Sequence, residues 1–234
     1  NDGGAAVPSN YSVTLNNTVV LPGRVHTRSD AVALPTDFPT SVPASAGTRT
    51  VTVRSQSDIA AIGNWQTVRD LNVAGSRLTI NLPPGNYGTL TVNGNSQINL
   101  SAGIYNFANT FNLDGSATLQ STGVVAINVA KDVSINSGAL TLGSYTAPAD
   151  VHLNVLGTVL KINGSSQVSG LVRAYNATVT LNGTAQVRGQ VIANTFILGG
   201  GKVIGAVWPA QSGSNAVLKA MRRGYTIERY LARA

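Results

Sequence analysis

One short pattern recurs along the middle of the chain: apolar, any residue, apolar, then Asn or Asp, with Gly one or two positions later. It reads Leu90-Thr91-Val92-Asn93-Gly94, Phe111-Asn112-Leu113-Asp114-Gly115, Val133-Ser134-Ile135-Asn136-Ser137-Gly138, Leu160-Lys161-Ile162-Asn163-Gly164 and Val179-Thr180-Leu181-Asn182-Gly183. A degenerate sixth copy, Phe196-Ile197-Leu198, runs into Gly199-Gly200-Gly201. Four residues after each of the first five glycines an apolar residue returns: Ile98, Leu119, Leu142, Val168 and Val187. Successive glycines lie 21, 23, 26, 19 and 18 residues apart. A repeat of that length with room only for short strands is one coil of a β-solenoid, in which each coil buries its apolar side only against its neighbours.

A second break follows in each coil, and after it a third short apolar run: Ile104–Phe107, Val124–Ile127, Val151–Val155, Leu171-Val172 and Val191-Ile192. Three strands per coil make a three-sided prism. The expected fold is therefore all-β: a single-stranded right-handed parallel β-helix of about 18–26 residues per coil. The right hand is preferred because coil length varies, whereas left-handed solenoids keep a hexapeptide rhythm that is missing here. Asn93, Asp114, Asn136, Asn163 and Asn182 occupy one turn slot, where a short polar side chain hydrogen-bonds its own backbone.

The flanks divide the chain into three regions. Residues 1–48 form a lead with an alternating stretch, Tyr11-Ser12-Val13-Thr14-Leu15, and prolines at 35, 39 and 43, which predict an extended run over the surface. Residues 49–209 carry the β-helix. At its start, Ser57-Asp58 gives a helix N-cap signal that predicts a short helix over the first coil's open edge. Pro83-Pro84-Gly85 predicts a sharp corner with glycine at positive φ. Residues 210–234 are a basic tail in which Leu218, Met221 and Tyr225 fall at helical spacing, predicting a short C-terminal helical segment.

Only 11% of the residues are charged, so solubility rests on Asn, Thr, Ser and Gln. Stacked coils favour this, because like charges in register about 4.8 Å apart repel whereas uncharged polar side chains stack. The net charge is +7, but five basic residues and one acid in 215–234 account for +4 of it. A nucleic-acid-binding surface is therefore not expected. With no cysteine, disulfides and thiolate metal sites are ruled out. The cysteine-free, low-charge, Asn/Thr-rich composition and a start lacking Met point to the mature form of a secreted, extracellular or cell-surface protein. No apolar run approaches the roughly 18 residues of a membrane-spanning helix.

The acids are too scattered for polysaccharide chemistry, which requires two carboxylates facing one cleft. Such an enzyme would have to rely on Asp132 or Asp150. His152 shares an outward face with Asp150, a pairing that could orient the ring or contribute to a metal site, although an isolated surface pair is far commoner. Serine never stands in a G-x-S-x-G context. No catalytic residue, metal site or cofactor is assigned. Thr89-x-Thr91 and Thr178-x-Thr180 raise ice binding, but the equivalent slots at Asn112, Ser134 and Lys161 break the threonine grid.

The stretch from Leu82 to Phe107, with its Pro83-Pro84-Gly85-Asn86-Tyr87-Gly88 opening, resembles secreted bacterial β-helix domains of pilus-associated and cell-surface, adhesin-like proteins. So does the run Gly170–Ala193, where Tyr175 replaces their usual proline. This resemblance covers about residues 78–205, implies export, and carries no catalytic residues. A looser similarity in coil length links the chain to bactofilin-type polymerising solenoids.

Two functions follow as expectations. One is a non-enzymatic structural subunit that self-associates into a bacterial surface fibre or layer. Its assembly contacts would come from Tyr11, Val13 and Leu15 in the lead and from Leu218, Met221, Arg222, Arg223, Tyr225 and Tyr230 in the tail, which could instead cap its own solenoid or meet an anionic envelope surface. The other is an adhesin or carbohydrate-binding module with exposed aromatics drawn from Tyr87, Tyr105, Tyr145 and Tyr175, side chains that would serve equally well as core or corner stacks.

Overall fold

In the computed structural model the described residues are 5–8, 25–28, 37–137, 141–142 and 148–209, with side chains described for 37–136 and 148–205. They form a parallel β-solenoid with very little helix. Its first face stacks eight strands in register: Arg49–Val53, Val68–Val73, Leu90–Val92, Phe111–Gly115, Val133–Ser137, Val159–Ile162, and the stretches 178–182 and 195–199 of two long strands that continue round the corners. The second face runs from Thr79–Leu82 through Gln97–Leu100, Thr118–Ser121 and Thr141–Leu142 to 167–169, 186–188 and 202–204. The third runs from Gly85–Tyr87 through Gly103–Phe107, Val125–Val129 and Val151–Val155 to 171–174, 190–193 and 206–209.

The period-2 alternation of each strand sends one set of side chains inward, where identical positions stack. One such column is Val53, Val73, Val92, Leu113, Ile135, Ile162, Leu181 and Leu198, every member buried. Tyr87, Phe107 and Phe111 close the early coils, with Phe107 stacked on Tyr87 at 5.6 Å and edge-on to Phe111 at 5.2 Å. Each fully buried Leu, Ile or Phe contributes about 1.5–3 kcal/mol, and only the presence of a coil above and below lets it do so.

The repeat glycines are fixed by the turn and by the neighbouring coil together. Gly115 has φ 71°, and a Cβ there would lie 2.8 Å from the backbone nitrogen of Gly94, the same corner one coil earlier. Neither requirement admits a side chain.

Two local expectations are corrected. The helix Gln56–Ala61 is capped by Ser55 rather than Ser57: the Ser55 hydroxyl accepts from the Asp58 backbone, and the Asp58 carboxylate accepts from the Ser55 backbone. Asp58 thus sits at the third helical position, where it completes a capping box. Gly85 does not have positive φ; it opens the strand Gly85–Tyr87, and the two prolines make the corner. The carbonyls of Ile62 and Asn64 are held by the Arg49 guanidinium, which ties the helical cover to the first strand.

The lead follows a path the alternation did not indicate. Strand Ala5–Pro8 pairs in parallel with the last coil, Ala5 opposite Val207, and Val25–Arg28 pairs on its other side. Residues 37–47 run from the late coils to the early end. The Asp37 carboxylate meets the Arg173 guanidinium at 2.7 Å and the Phe38 ring lies 4.1 Å from that of Tyr175, both late coils. Gly47 lies so close to the Val68 carbonyl, in an early coil, that a Cβ would fall 2.6 Å from it. Residues 37–47, free of helix and strand as the prolines predict, therefore form a strap along the prism. The predicted strand at Tyr11–Leu15 and the predicted tail helix lie outside the described residues.

Candidate functional site

Because the core is filled, any activity of the described residues has to use side chains outside it. On the first face one outward column reads Thr52, Asn72, Thr91, Asn112, Ser134, Lys161, Thr180, Ile197. Threonine holds three of those eight levels, so the irregular grid read from the sequence is irregular in register too.

The second face carries amides and hydroxyls. Thr79 and Asn81 stand beside Gln97 and Asn99, then Thr118 and Gln120. Gln97 donates to Asn99 at 2.6 Å and to Gln120 at 3.1 Å, and Asn99 donates to Asn81 at 2.8 Å. Later levels of the column place Gln167 beside Gln186, and Ser169 beside Arg188. The first three levels form a flat surface of uncharged donors and acceptors.

A second amide ladder lies on the third face. Asn154 donates to Asn128, Asn128 to Asn106 and Asn106 to Asn86, at 2.8, 2.8 and 2.7 Å. These positions point away from the core, yet Asn106, Asn128 and Asn154 are all buried, as is Arg173 beyond them. Residues 37–47 run between Arg173 and Val68, past this column, and we take them as its cover. Arg173 is 5% exposed while its partner Asp37 is 58% exposed, so the strap brings its charge from outside to a buried guanidinium.

The turn slots behave as a third ladder. Asn182 donates to Asn163, Asn163 to Asn136, and Asn136 to Asp114 at 3.0 Å. This corrects the expectation that Asp114 bonds its own backbone. A side chain of this length at a fixed corner reaches its counterpart in the next coil, and the ladder aligns the corners.

Three further acids also have structural partners. Asp132 accepts from the backbone of Thr158 and Val159 at 3.1 and 3.0 Å. Asp70 accepts from the backbone of Thr89, from Thr50 and from Arg69. Burial pushes its carboxyl upward, but those hydrogen bonds outweigh it and hold the group below the usual range. Asp58 is held down mainly by the backbone amides of Arg54 and Ser55 and the Ser55 hydroxyl. Five of the six described carboxylates are thus engaged in holding backbone, ladder or strap. Asp132, one of the two acids an enzyme would need, is among them.

His152 is half-buried between Val151 and Leu153, outward as the alternation predicts. Burial and the Arg173 charge lower its pKa, while the Ala149 backbone, Asp37 and Asp150 pull the other way. Among the described residues no group of three or more His, Asp or Glu could hold a metal ion, and no helix is long and apolar enough to cross a membrane.

The exposed-aromatic expectation fails for three of its four tyrosines. Tyr87, Tyr105 and Tyr175 are buried, with Tyr87 donating to the Pro83 carbonyl at 2.7 Å and Tyr105 to that of Leu82 at 3.0 Å. Burial pushes the Tyr175 phenol up to about 12. Tyr145 and the nine proposed assembly residues (Tyr11, Val13, Leu15, Leu218, Met221, Arg222, Arg223, Tyr225 and Tyr230) lie outside the described residues.

Sequence reasoning passed over Trp65. It sits on a short 3-10 turn, Trp65–Thr67, whose N-cap Asn64 accepts from the Gln66 backbone. With Gln66, Pro83, Pro84, Asn86 and Tyr87 it lines a groove of about 420 Å³ at the early end of the third face. The available signal was a tryptophan beside turn formers, Gly63-Asn64-Trp65, outside the repeat. Two aliphatics that open the third apolar runs read from the sequence are exposed, Ile104 at 57% and Val124 at 60%; they lie diagonally across adjacent coils, since Ile104 pairs with Ala126.

The family model described as "Putative Ice-binding-like adhesive domain" matches residues 1–204. Neither the curated proteins nor the solved structures include a match.

Proposed function

This chain belongs to the ice-binding-like adhesive domain family, and from that premise we propose that it is a non-enzymatic, extracellular adhesin-type domain displayed at a bacterial surface. The observation that carries the reading is the second face, where amides and hydroxyls stand in register over Thr79–Leu82, Gln97–Leu100 and Thr118–Ser121 without one charged side chain. Such a surface is flat, pre-ordered by its own hydrogen bonds and rich in donors and acceptors. It meets a repetitive neutral surface at little cost in side-chain entropy. The engagement of the described acids in backbone, ladder and strap contacts supports the non-enzymatic part.

The test is retention of the immobilised chain on glycan-, matrix- and cell-coated surfaces, compared with a Gln97→Glu/Gln120→Glu variant. Attachment that falls in the variant supports the reading. A chain that holds to no surface removes it.

Self-assembly into a fibre or layer is a second reading, favoured by one observation. The strand closing the last coil, Ala5–Pro8, comes from the far end of the sequence, and a strand so placed can be donated to a neighbouring copy's last coil. Deleting residues 1–30 should then abolish filaments in electron micrographs. Monomers before and after deletion would remove this reading.

A further inference from the structure

The Trp65 groove has two features that specify a ligand. No charged residue lines it: Ala46, Trp65, Pro83, Pro84, Gly85 and Tyr87 do, with the amide residues Gln66 and Asn86, and Trp65 is half-buried with one side packed against the core. The Tyr87 hydroxyl is already committed to the Pro83 carbonyl, so it shapes the wall and leaves polar recognition to the amides. A charged ligand would enter such a groove without a counter-charge, which burial penalises. A neutral ligand with an apolar flat side and a polar rim matches it.

The second feature is the direction of the buried ladder. Every bond in it runs the same way, with Nδ2 of each asparagine donating to the residue one coil earlier. Aligned amide bonds of this kind polarise one another. At the late end the Asn154 Oδ1 is buried with no donor, which is the signature of a run that terminates there. At the early end Asn86 has its Oδ1 occupied by Asn106, which leaves its Nδ2 as the open donor. Asn86 is exposed and lines the groove. Two buried bonds and one part-buried bond therefore feed one donor at the groove.

Resting on the adhesin reading, we propose that this groove is a carbohydrate subsite that takes a neutral hexopyranose unit of a surface glycan. The C–H face of the sugar lies on the Trp65 indole, and a ring hydroxyl accepts from Asn86 Nδ2, with Gln66 beside it. The volume suits one or two sugar units. A polyproline segment would also find aromatic and proline walls, but its carbonyls have no periodic donor row to meet here, only the two amides at one edge.

The experiment is calorimetric titration of the full chain with neutral gluco-, manno- and galacto-hexasaccharides, with an acidic sialylated oligosaccharide and a proline-rich peptide as comparators. At least one neutral oligosaccharide should bind with one site per chain. Asn86→Asp keeps the acceptor that Asn106 needs, removes the donor and adds one negative charge to the groove's edge. It should weaken binding at least about tenfold, the effect of losing one well-placed hydrogen bond, with melting temperature unchanged. Trp65→Ala should weaken it at least as much and Trp65→Phe should restore most of it, which separates stacking from loss of fold. The assignment is overturned if no neutral sugar binds, if the peptide binds in its place, or if both Asn86→Asp and Trp65→Ala bind as the unaltered chain does. Surface retention measured in parallel separates the two ideas. Retention without sugar binding overturns the groove and leaves the adhesin reading intact, whereas sugar binding without retention upholds the groove alone.

Discussion

Replacing Asn128 by alanine tests whether the strap seals the third face. Asn128 is 9% exposed, donates to Asn106 and accepts from Asn154, both at 2.8 Å. The truncation strands Asn106 Oδ1 and Asn154 Nδ2 in a buried environment and loses two hydrogen bonds. At about 0.5–1.5 kcal/mol for each bond, plus the added cost of groups left dry, the sum is about 3 kcal/mol. For a chain of this size each kcal/mol lowers the melting temperature by roughly 2–4 °C, so a fall of roughly 6–12 °C is expected. Asn99 is the control: it also makes two side-chain bonds, donating to Asn81 one coil earlier and accepting from Gln97 in its own strand, but on the open second face. Water replaces its partners there, and Asn99→Ala should cost only about 0.5 kcal/mol. Melting followed by circular dichroism, repeated with urea midpoints, measures both. A difference between the two variants below about 2 °C would refute the claim that residues 37–47 exclude water from the ladder.

Three further outcomes follow from the same geometry. Asp37→Asn removes the charge opposite buried Arg173, so limited proteolysis should cut within 37–47 sooner than in the unaltered chain, with the coils remaining resistant. Gly115→Ala, which meets both a positive φ and the Gly94 backbone, should destabilise by about 2 kcal/mol in urea unfolding, whereas alanine at the open Gly63 should cost less because only its φ of 64° resists. His152 has a folded pKa below its ordinary 6.5, chiefly through burial and then Arg173. The unfolded chain therefore binds a proton first as pH falls: the stability held above 6.5 declines from there down to the folded value and then levels off, and His152→Gln should flatten that slope in pH-dependent melts.

The repeat was legible because it is local. Val-x-Leu before Asn-Gly fixes a strand and a corner within five residues, and the return of Ile98 or Leu119 four positions later sets the next strand. Parallel stacking then follows from burial alone. The outward column at Thr91, Asn112 and Ser134 was readable for the same reason. The Trp65 groove was not, because its walls come from a 3-10 turn, a proline corner and a strand that meet only when the first coils stack.

Sequence by itself determined the coil: strand periodicity, turn chemistry and low charge are properties of neighbouring residues and their nearest copies. Tertiary structure alone decided which outward columns are surface. Asn99 and Asn128 are both outward mid-strand asparagines that donate to an asparagine one coil earlier, and strand periodicity alone does not tell them apart. What separates them is a segment about 90 residues earlier in the chain, anchored by Asp37 on Arg173 and by Gly47 against Val68. It turns one amide ladder into buried structure and leaves the other to meet what lies outside. Burial is a property of the whole path of the chain, and periodicity carries no record of it.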